Sequence, residues 1–364
     1  MYDGIQIFFH SREAHDRLLH ELQELAFSGH KDDGAVDKYY GDSRHFSVRI
    51  YETNPPSIKL NGSIHRYAQE NNSGRFCFTG IKKAVADFSV QFHVDPEENN
   101  IQRLELGVNI PVKSPEAIIR SAMLYNGRTG RRDYQKDYLS KEWSFDQYSV
   151  KLYKKGPHLL RYEIRITEMR KIKELGLDSL SSLCDYDHFV IALHYLYRAI
   201  DKFTFVPSDK NGSLVGKDEK DWNNYRAESY WEEIDKDKKY RSKQKLNKLI
   251  HEYKLIDWAY YLKHKTLLEG CLMLRISLPA LRAKFSELGL LAETVARPNG
   301  NRDRQADLIT ASIKTILVPV HYVVRNTWCT VDVIISVPSY HPLMPRGPPS
   351  SSVVFLCMNT TLPC

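Results

Sequence analysis

Three segments alternate polar and apolar side chains with a period of two, and this pattern limits the possible fold more than anything else in the chain. In residues 101–112, Leu104, Leu106, Val108 and Ile110 share one face while Arg103, Glu105, Gly107 and Asn109 share the other. In residues 148–155, Tyr148, Val150 and Leu152 alternate with Lys151, Tyr153 and Lys155. In residues 159–167, Leu160, Tyr162, Ile164 and Ile166 alternate with Arg161, Glu163 and Arg165. Successive strand side chains point to opposite faces, so each segment reads as a strand with a core behind it and a polar face in front, the habit of antiparallel sheets. Placed side by side, the three would gather Glu105, Lys151, Tyr153, Lys155, Arg161, Glu163 and Arg165 on one surface.

The remaining pattern surrounds these strands with helices. Residues 5–10, 45–51 and 57–67 read as further strands, the last two joined through Asn54-Pro55-Pro56. Residues 11–27, 80–92 and 185–203 carry apolar side chains at helical spacing, and Ser114-Pro115-Glu116 opens a helix expected to reach about Tyr125. Residues 28–44 are expected as a polar loop around Gly29 and Gly34, and residues 126–141 as a basic loop whose Tyr134 and Tyr138 offer stacking surfaces. A Gly-, Ser- and charge-rich stretch at 208–221 marks a boundary, beyond which the chain reads as mostly helical to about residue 297. The expectation is an α+β fold: an antiparallel sheet with flanking helices over 1–207, a helical binding or accessory region over 222–297, and a tail over 298–364. Residues 313–364 hold three basic side chains and one acid, half of the six cysteines, and a Pro-rich stretch at 338–349.

Charge and motif content narrow the chemistry. Between Lys113 and Lys173 there are 15 Lys and Arg against 7 Asp and Glu, a surplus of 8 that exceeds the +7 of the whole chain. A polyanionic partner fits this segment, with Arg131, Arg132, Lys151, Lys154, Arg161 and Arg165 as candidate phosphate contacts. The cysteines lie far apart with no CxxC, which argues against a zinc ribbon and against a disulfide framework. No His-x-His, HExxH, Walker A, GxGxxG or GxSxG motif is present. The longest nearly unbroken apolar runs are about ten residues, too short for a membrane helix. The start of the sequence does not resemble a secretory signal, so the expectation is a cytoplasmic location and no membrane partner.

A tyrosine is a weak nucleophile as a phenol and needs a neighbouring cation or base, a part Lys151 and Lys155 suit. Carboxylates on adjacent strands are hard oxygen ligands for Mg²⁺ or Mn²⁺. Such a set suits phosphoryl transfer on nucleic acid. The same spacing also describes a solvated strand with cross-strand ion pairs.

Leu160-Arg161-Tyr162-Glu163-Ile164-Arg165-Ile166, followed by Arg170, Lys173 and Gly176-Leu177, resembles the hydrophobic-R-[F/Y]-E-x-R strand and basic helix of the filamentous-phage replication initiator family and its plasmid relatives. Lys151-Leu152-Tyr153-Lys154-Lys155-Gly156 is similar to that family's hydrophobic-Tyr-x-Lys strand, and residues 104–110 to its acidic strand. Residues 58–67, with Asn71 or Asn72 and Phe76 or Phe78, resemble its earlier block. The likeness spans residues 45–180. It implies a rolling-circle replication initiator that nicks and rejoins one strand of single-stranded or supercoiled origin DNA through a 5′-phosphotyrosine on Tyr153. It further implies that Glu105 and Glu163 hold Mg²⁺ or Mn²⁺, that Lys155 positions the phosphate, and that a host helicase and polymerase take over. The two-histidine metal motif of the wider superfamily is absent, and nothing after about Arg297 matches. The alternative reading is a non-enzymatic phage or plasmid initiator, or another DNA-binding protein, using the same basic face.

Overall fold

The three alternating segments do become neighbours, in the middle of one large sheet. The structure is a computed structural model that describes residues 1–23, 30–32, 35–135, 138–208, 214–290, 313–324 and 327–338. In chain order the first elements are β1 (Tyr2–His10), α1 (Arg12–Gln23), β2 (His30–Asp32), β3 (Ala35–Ser43), β4 (Phe46–Tyr51), β5 (Ser57–Ser63), α2 (Ile64–Gln69), α3 (Phe78–Phe92) and β6 (Asn100–Pro111). Next come α4 (Pro115–Ser121), β7 (Ala122–Tyr125), β8 (Arg128–Thr129), β9 (Arg131–Gln135), β10 (Tyr138–Ser144), β11 (Tyr148–Gly156), β12 (Leu159–Ile166), α5 (Met169–Glu174) and α6 (Tyr186–Ala199). After β13 (Phe203–Phe205) the chain turns helical: α7 (Gly216–Tyr225), α8 (Glu228–Glu233), α9 (Lys236–Glu252), α10 (Trp258–Leu274) and α11 (Leu278–Glu287).

Ten strands pair in the order β2-β3-β4-β5-β1-β6-β12-β11-β10-β9, and each pairing is antiparallel. The registers set Lys151 opposite Glu163, Tyr153 opposite Arg161, and Arg165 opposite Glu105. The apolar face is buried against α3, α6 and α10, with α11 packed on α6 and α10. Phe46 meets Phe88 at 4.8 Å, Tyr2 meets Phe189 at 5.7 Å, and the Tyr162 hydroxyl donates to the Leu196 carbonyl. Burial of this two-sided pattern against helices is what fixes the register, because a one-residue slip would turn every charged side chain inward.

Several local expectations are corrected. The strand expected to 67 stops at Ser63, whose hydroxyl caps α2 by accepting from the Arg66 amide. The helix from Ser114 ends at Ser121, and residues 122–125 enter a three-stranded sheet ordered β13-β7-β8. The helix expected to Phe203 ends at Ala199. Residues 131–135 and 138–144, expected as loop, form a β9–β10 hairpin on the sheet edge, and residues 30–32 and 35–43 form the opposite edge. Local polarity hid these strands, since edge strands gain their pairing from a neighbour rather than from apolar alternation. Gly29, Gly34, the side chains of Tyr134 and Tyr138, residues 209–213 of the expected boundary and residues 339–349 of the Pro-rich stretch lie outside the described residues.

Met1–Ala292 forms one compact unit and Glu293–Cys364 another. The first unit takes in both the sheet and the helical region, because Leu262, Leu267, Met273, Leu281 and Phe285 of α10 and α11 are buried in the same core as the sheet. Helices α7–α9 build a smaller core around Trp222, Trp231, Leu246 and Leu249, which Met123 and Leu124 of β7 join. In the second unit, β14 (Ile313–Val324) and β15 (Thr327–Pro338) form an antiparallel hairpin. No helix among the described residues is long and apolar enough to cross a membrane.

Candidate active site

The polar face of β6, β12 and β11 carries a network centred on Arg161. This residue is 2% exposed, and its guanidinium donates to Asp3 Oδ2 at 2.9 Å, Asn109 Oδ1 at 3.2 Å and Glu163 Oε2 at 3.3 Å. Glu163 Oε2 also accepts from the Tyr153 hydroxyl at 3.3 Å. On the next row, Arg165 Nε donates to Glu105 Oε1 at 2.6 Å. Space for these groups is made by glycine. A Cβ on Gly107 would lie 2.7 Å from the Arg161 guanidinium, and one on Gly4 would lie 2.3 Å from the Glu105 carboxylate. Both distances are far inside van der Waals contact, so the bare backbone of β1 and β6 is what lets the two charged groups lie flat on the sheet.

Asp3 is the residue that alternation misses. Ile5, Ile7 and Phe9 face the core, so plain alternation would send Asp3 there too. The β1–β6 register shifts between Tyr2 and Ile5, which places one extra residue in β1. Such a bulge changes the parity of the strand, so that Tyr2 enters the core while Asp3 joins the polar network. Ser63 and Asn72 also donate to its carboxylate. One oxygen each of Asp3, Glu105 and Glu163 lie within 4.8 Å of one another. The segment between α2 and α3 closes over one end: Asn109 Nδ2 donates to the carbonyls of Asn72, Ser73 and Gly74, and Lys155 donates to that of Asn72.

The electrostatics separate these groups. Burial alone would raise Asp3, yet the Arg161 guanidinium and the donors Ser63 and Asn72 hold its carboxyl below the usual range. Burial pushes Glu163 up, with Glu105 and Asp3 adding repulsion that Arg161 only partly offsets. Burial, then the neighbouring Arg161, pushes Lys155 down to about 8. A raised carboxyl bonded to a phenol is a proton acceptor of increased affinity, and a lowered ammonium is a cation that can be discharged near neutral pH.

The donor set fits a hard divalent cation in part. Asp3 has both oxygens engaged, by Ser63 on one side and by Asn72 and Arg161 on the other. The arginines take Oε1 of Glu105 and Oε2 of Glu163, which leaves the second oxygen of each glutamate outside these bonds. Glu105 and Glu163 are therefore the pair suited to a cation, and Asp3 the residue that fixes Arg161.

The other candidates divide. Lys151 shares the Tyr153 face, its ammonium 5.4 Å from that ring's centre. Lys154 lies on the opposite face and pairs with Glu116 of α4 at 2.6 Å. Arg161 is buried and bound to acids, so it is corrected from a phosphate contact to an internal support. Arg131 and Arg132 point to opposite faces. Arg131 is exposed opposite Glu142, whereas Arg132 reaches Glu228 of α8 at 2.6 Å beside the fully buried Lys141. Tyr148 faces the other way from Tyr153, stacked on Phe145 at 4.8 Å. Beside the network a cavity of about 210 Å³ is lined by His65, Arg75, Phe76, Asn109, Arg161 and Glu269.

No protein-family model matches this chain, and no curated protein matches it in sequence.

Proposed function

We propose that the chain is a metal-assisted DNA nicking and joining enzyme of the rolling-circle type, with Tyr153 as nucleophile. The observation that carries this reading is the Tyr153 hydroxyl bonded to Glu163, whose carboxyl burial pushes up, on the polar sheet face, with Glu105 within reach. Tyr153 Oη attacks a backbone phosphorus while its proton passes to Glu163. The bond from phosphorus to the 3′ oxygen breaks, that oxygen takes a proton from water, and the 5′ phosphate stays on the tyrosine. Attack by a 3′ hydroxyl on the phosphotyrosine reverses the step and rejoins the strand. Lys155 and Lys151 offset the charge of the phosphate, and Arg161 holds Glu163 toward the phenol. A divalent cation held by Glu105 and Glu163 would neutralise phosphate charge and polarise the scissile bond.

The test is a denaturing gel of the protein with single-stranded or supercoiled origin DNA and Mn²⁺. A covalent band that Tyr153→Phe abolishes and Tyr148→Phe retains supports the nucleophile. No band with wild type on either DNA would favour an initiator that only binds.

A further inference from the structure

Helix α9 presents a face that the nicking chemistry does not use. From Lys238 to His251 the sequence holds six Lys and Arg and no Asp or Glu. The helix is seated by Leu246 and Leu249, buried with Trp231 in the smaller core. With that side inward, Lys236, Lys239, Tyr240, Lys243, Gln244 and Asn247 follow the spacing i, i+3, i+4, i+7, i+8, i+11 and form one stripe. Tyr240 is 64% exposed in the middle of it. The ion pairs found on this helix belong to Lys245, with Asp218 and Asp221, and Lys248, with Glu252, both off the stripe. Burial, and to a lesser degree the neighbouring Lys239, push the Lys243 ammonium down. Lys239 also donates to the Gly127 carbonyl in the turn before exposed Arg128. Arg132 and Lys141 bind neighbouring α8 from the sheet face opposite Tyr153, so this stripe does not continue the tyrosine's surface.

We infer that the Lys236–Asn247 stripe of α9 is a second nucleic-acid contact, one that takes double-stranded DNA. A straight helix of 17 residues is about 25 Å long and fits a major groove, with lysines for phosphates and two carboxamides and a phenol for base edges. An acidic protein would be held by the lysines alone and would leave the carboxamides and the ring without a purpose. The choice of DNA as partner rests on the proposed function.

The test is the salt dependence of binding to a duplex of random sequence, measured by fluorescence anisotropy between roughly 50 and 200 mM KCl. Each lost phosphate contact lowers the log–log slope by about 0.9, so the triple variant Lys236→Ala/Lys239→Ala/Lys243→Ala should lose about 2 to 3 units and bind at least about tenfold more weakly. The Lys→Arg triple should keep the slope, and Lys82→Ala/Lys83→Ala on α3 should not change it. An unchanged slope in the Ala triple, an equal loss in the α3 variant, or binding to phosphatidylserine vesicles without binding to duplex would overturn the inference. The covalent band at Tyr153 is scored on the same proteins. A band with an unchanged slope sinks only the α9 contact, and a lowered slope with no band sinks only the nicking reading.

Discussion

Arg161 is the residue on which the polar face depends. Removing it leaves Asp3 and Glu163 buried and uncompensated, a change that costs about 3 to 5 kcal/mol where a buried pair is broken. Arg161→Gln should therefore lower stability by about that amount near neutral pH, and by less in acid, where protonation relieves both carboxyls. Equal loss at both pH values in urea melts would mean that the acids are not what Arg161 serves. His65 adds a separate pH effect. Buried and stacked on Phe76 at 4.7 Å, it titrates at about 4 rather than 6.5 because burial disfavours its charged form. Between those values the unfolded chain binds the proton and the folded one does not, so stability falls as pH drops through this window. A depression from 6.5 to about 4 corresponds to about 3 kcal/mol. Half-buried His194, also at about 4, contributes in the same sense. Replacement of His65 by Gln should flatten the acid limb, and an unaltered limb would assign it to other groups. For Lys155 the sign concerns binding. The ammonium is lost as pH rises through about 8, so DNA affinity should weaken there and Lys155→Arg should hold it, as titrations of affinity against pH would show.

At the scale of elements, the central strands were legible because each carries an unbroken two-residue period over six or more positions, and burial of the apolar half has one solution. The edge strands were not. In β9 and β10, Arg131, Arg132 and Lys141 read as loop, yet Lys141 is buried by its bonds to Glu228 and the Ala122 carbonyl, partners that only tertiary pairing supplies. The fit between β6 and β12 yields a sharp prediction. Gly107→Ala should drive the Arg161 guanidinium from its seat, costing about 1 to 3 kcal/mol as overpacking does, and reduce covalent adduct formation through misplaced Glu163. Wild-type stability and adduct yield together would show that Arg161 has room to shift.

For the whole molecule, the unit boundary falls at Ala292, and among the described residues both apolar cores draw on positions before it. A chain ending at Ala292 should then melt within about 2 °C of the full protein and retain the adduct, since a change of that size is below about 1 kcal/mol for a domain this large. Aggregation of the shortened chain in size-exclusion chromatography would show that the second unit completes the first. Helices α10 and α11 were expected with a separate helical region, but their apolar sides close the sheet's core. The sequence reads as helical here, and in α10 the apolar side chains are spread around the helix, so it is silent on which surface these helices cover.

What the sequence determined by itself was therefore local and periodic: the alternating strands, the parity that parts Tyr153 from Tyr148, and the surplus of cations over residues 113–173. Tertiary structure decided which charges remain available to a ligand. Arg161 and Arg165 look alike in the sequence, four residues apart on one face, but one is enclosed by Asp3, Asn109 and Glu163 while the other stays half-exposed against Glu105. Asp3 reached the site through a bulge that no alternation rule reports, and Arg132 and Lys154 were claimed by Glu228 and Glu116 from distant helices. For the three arginines and Lys154 the physical reason is shared. A strand's period fixes the face on which a side chain emerges, whereas its charge partner is set by whatever the folded chain brings within hydrogen-bond distance of that face.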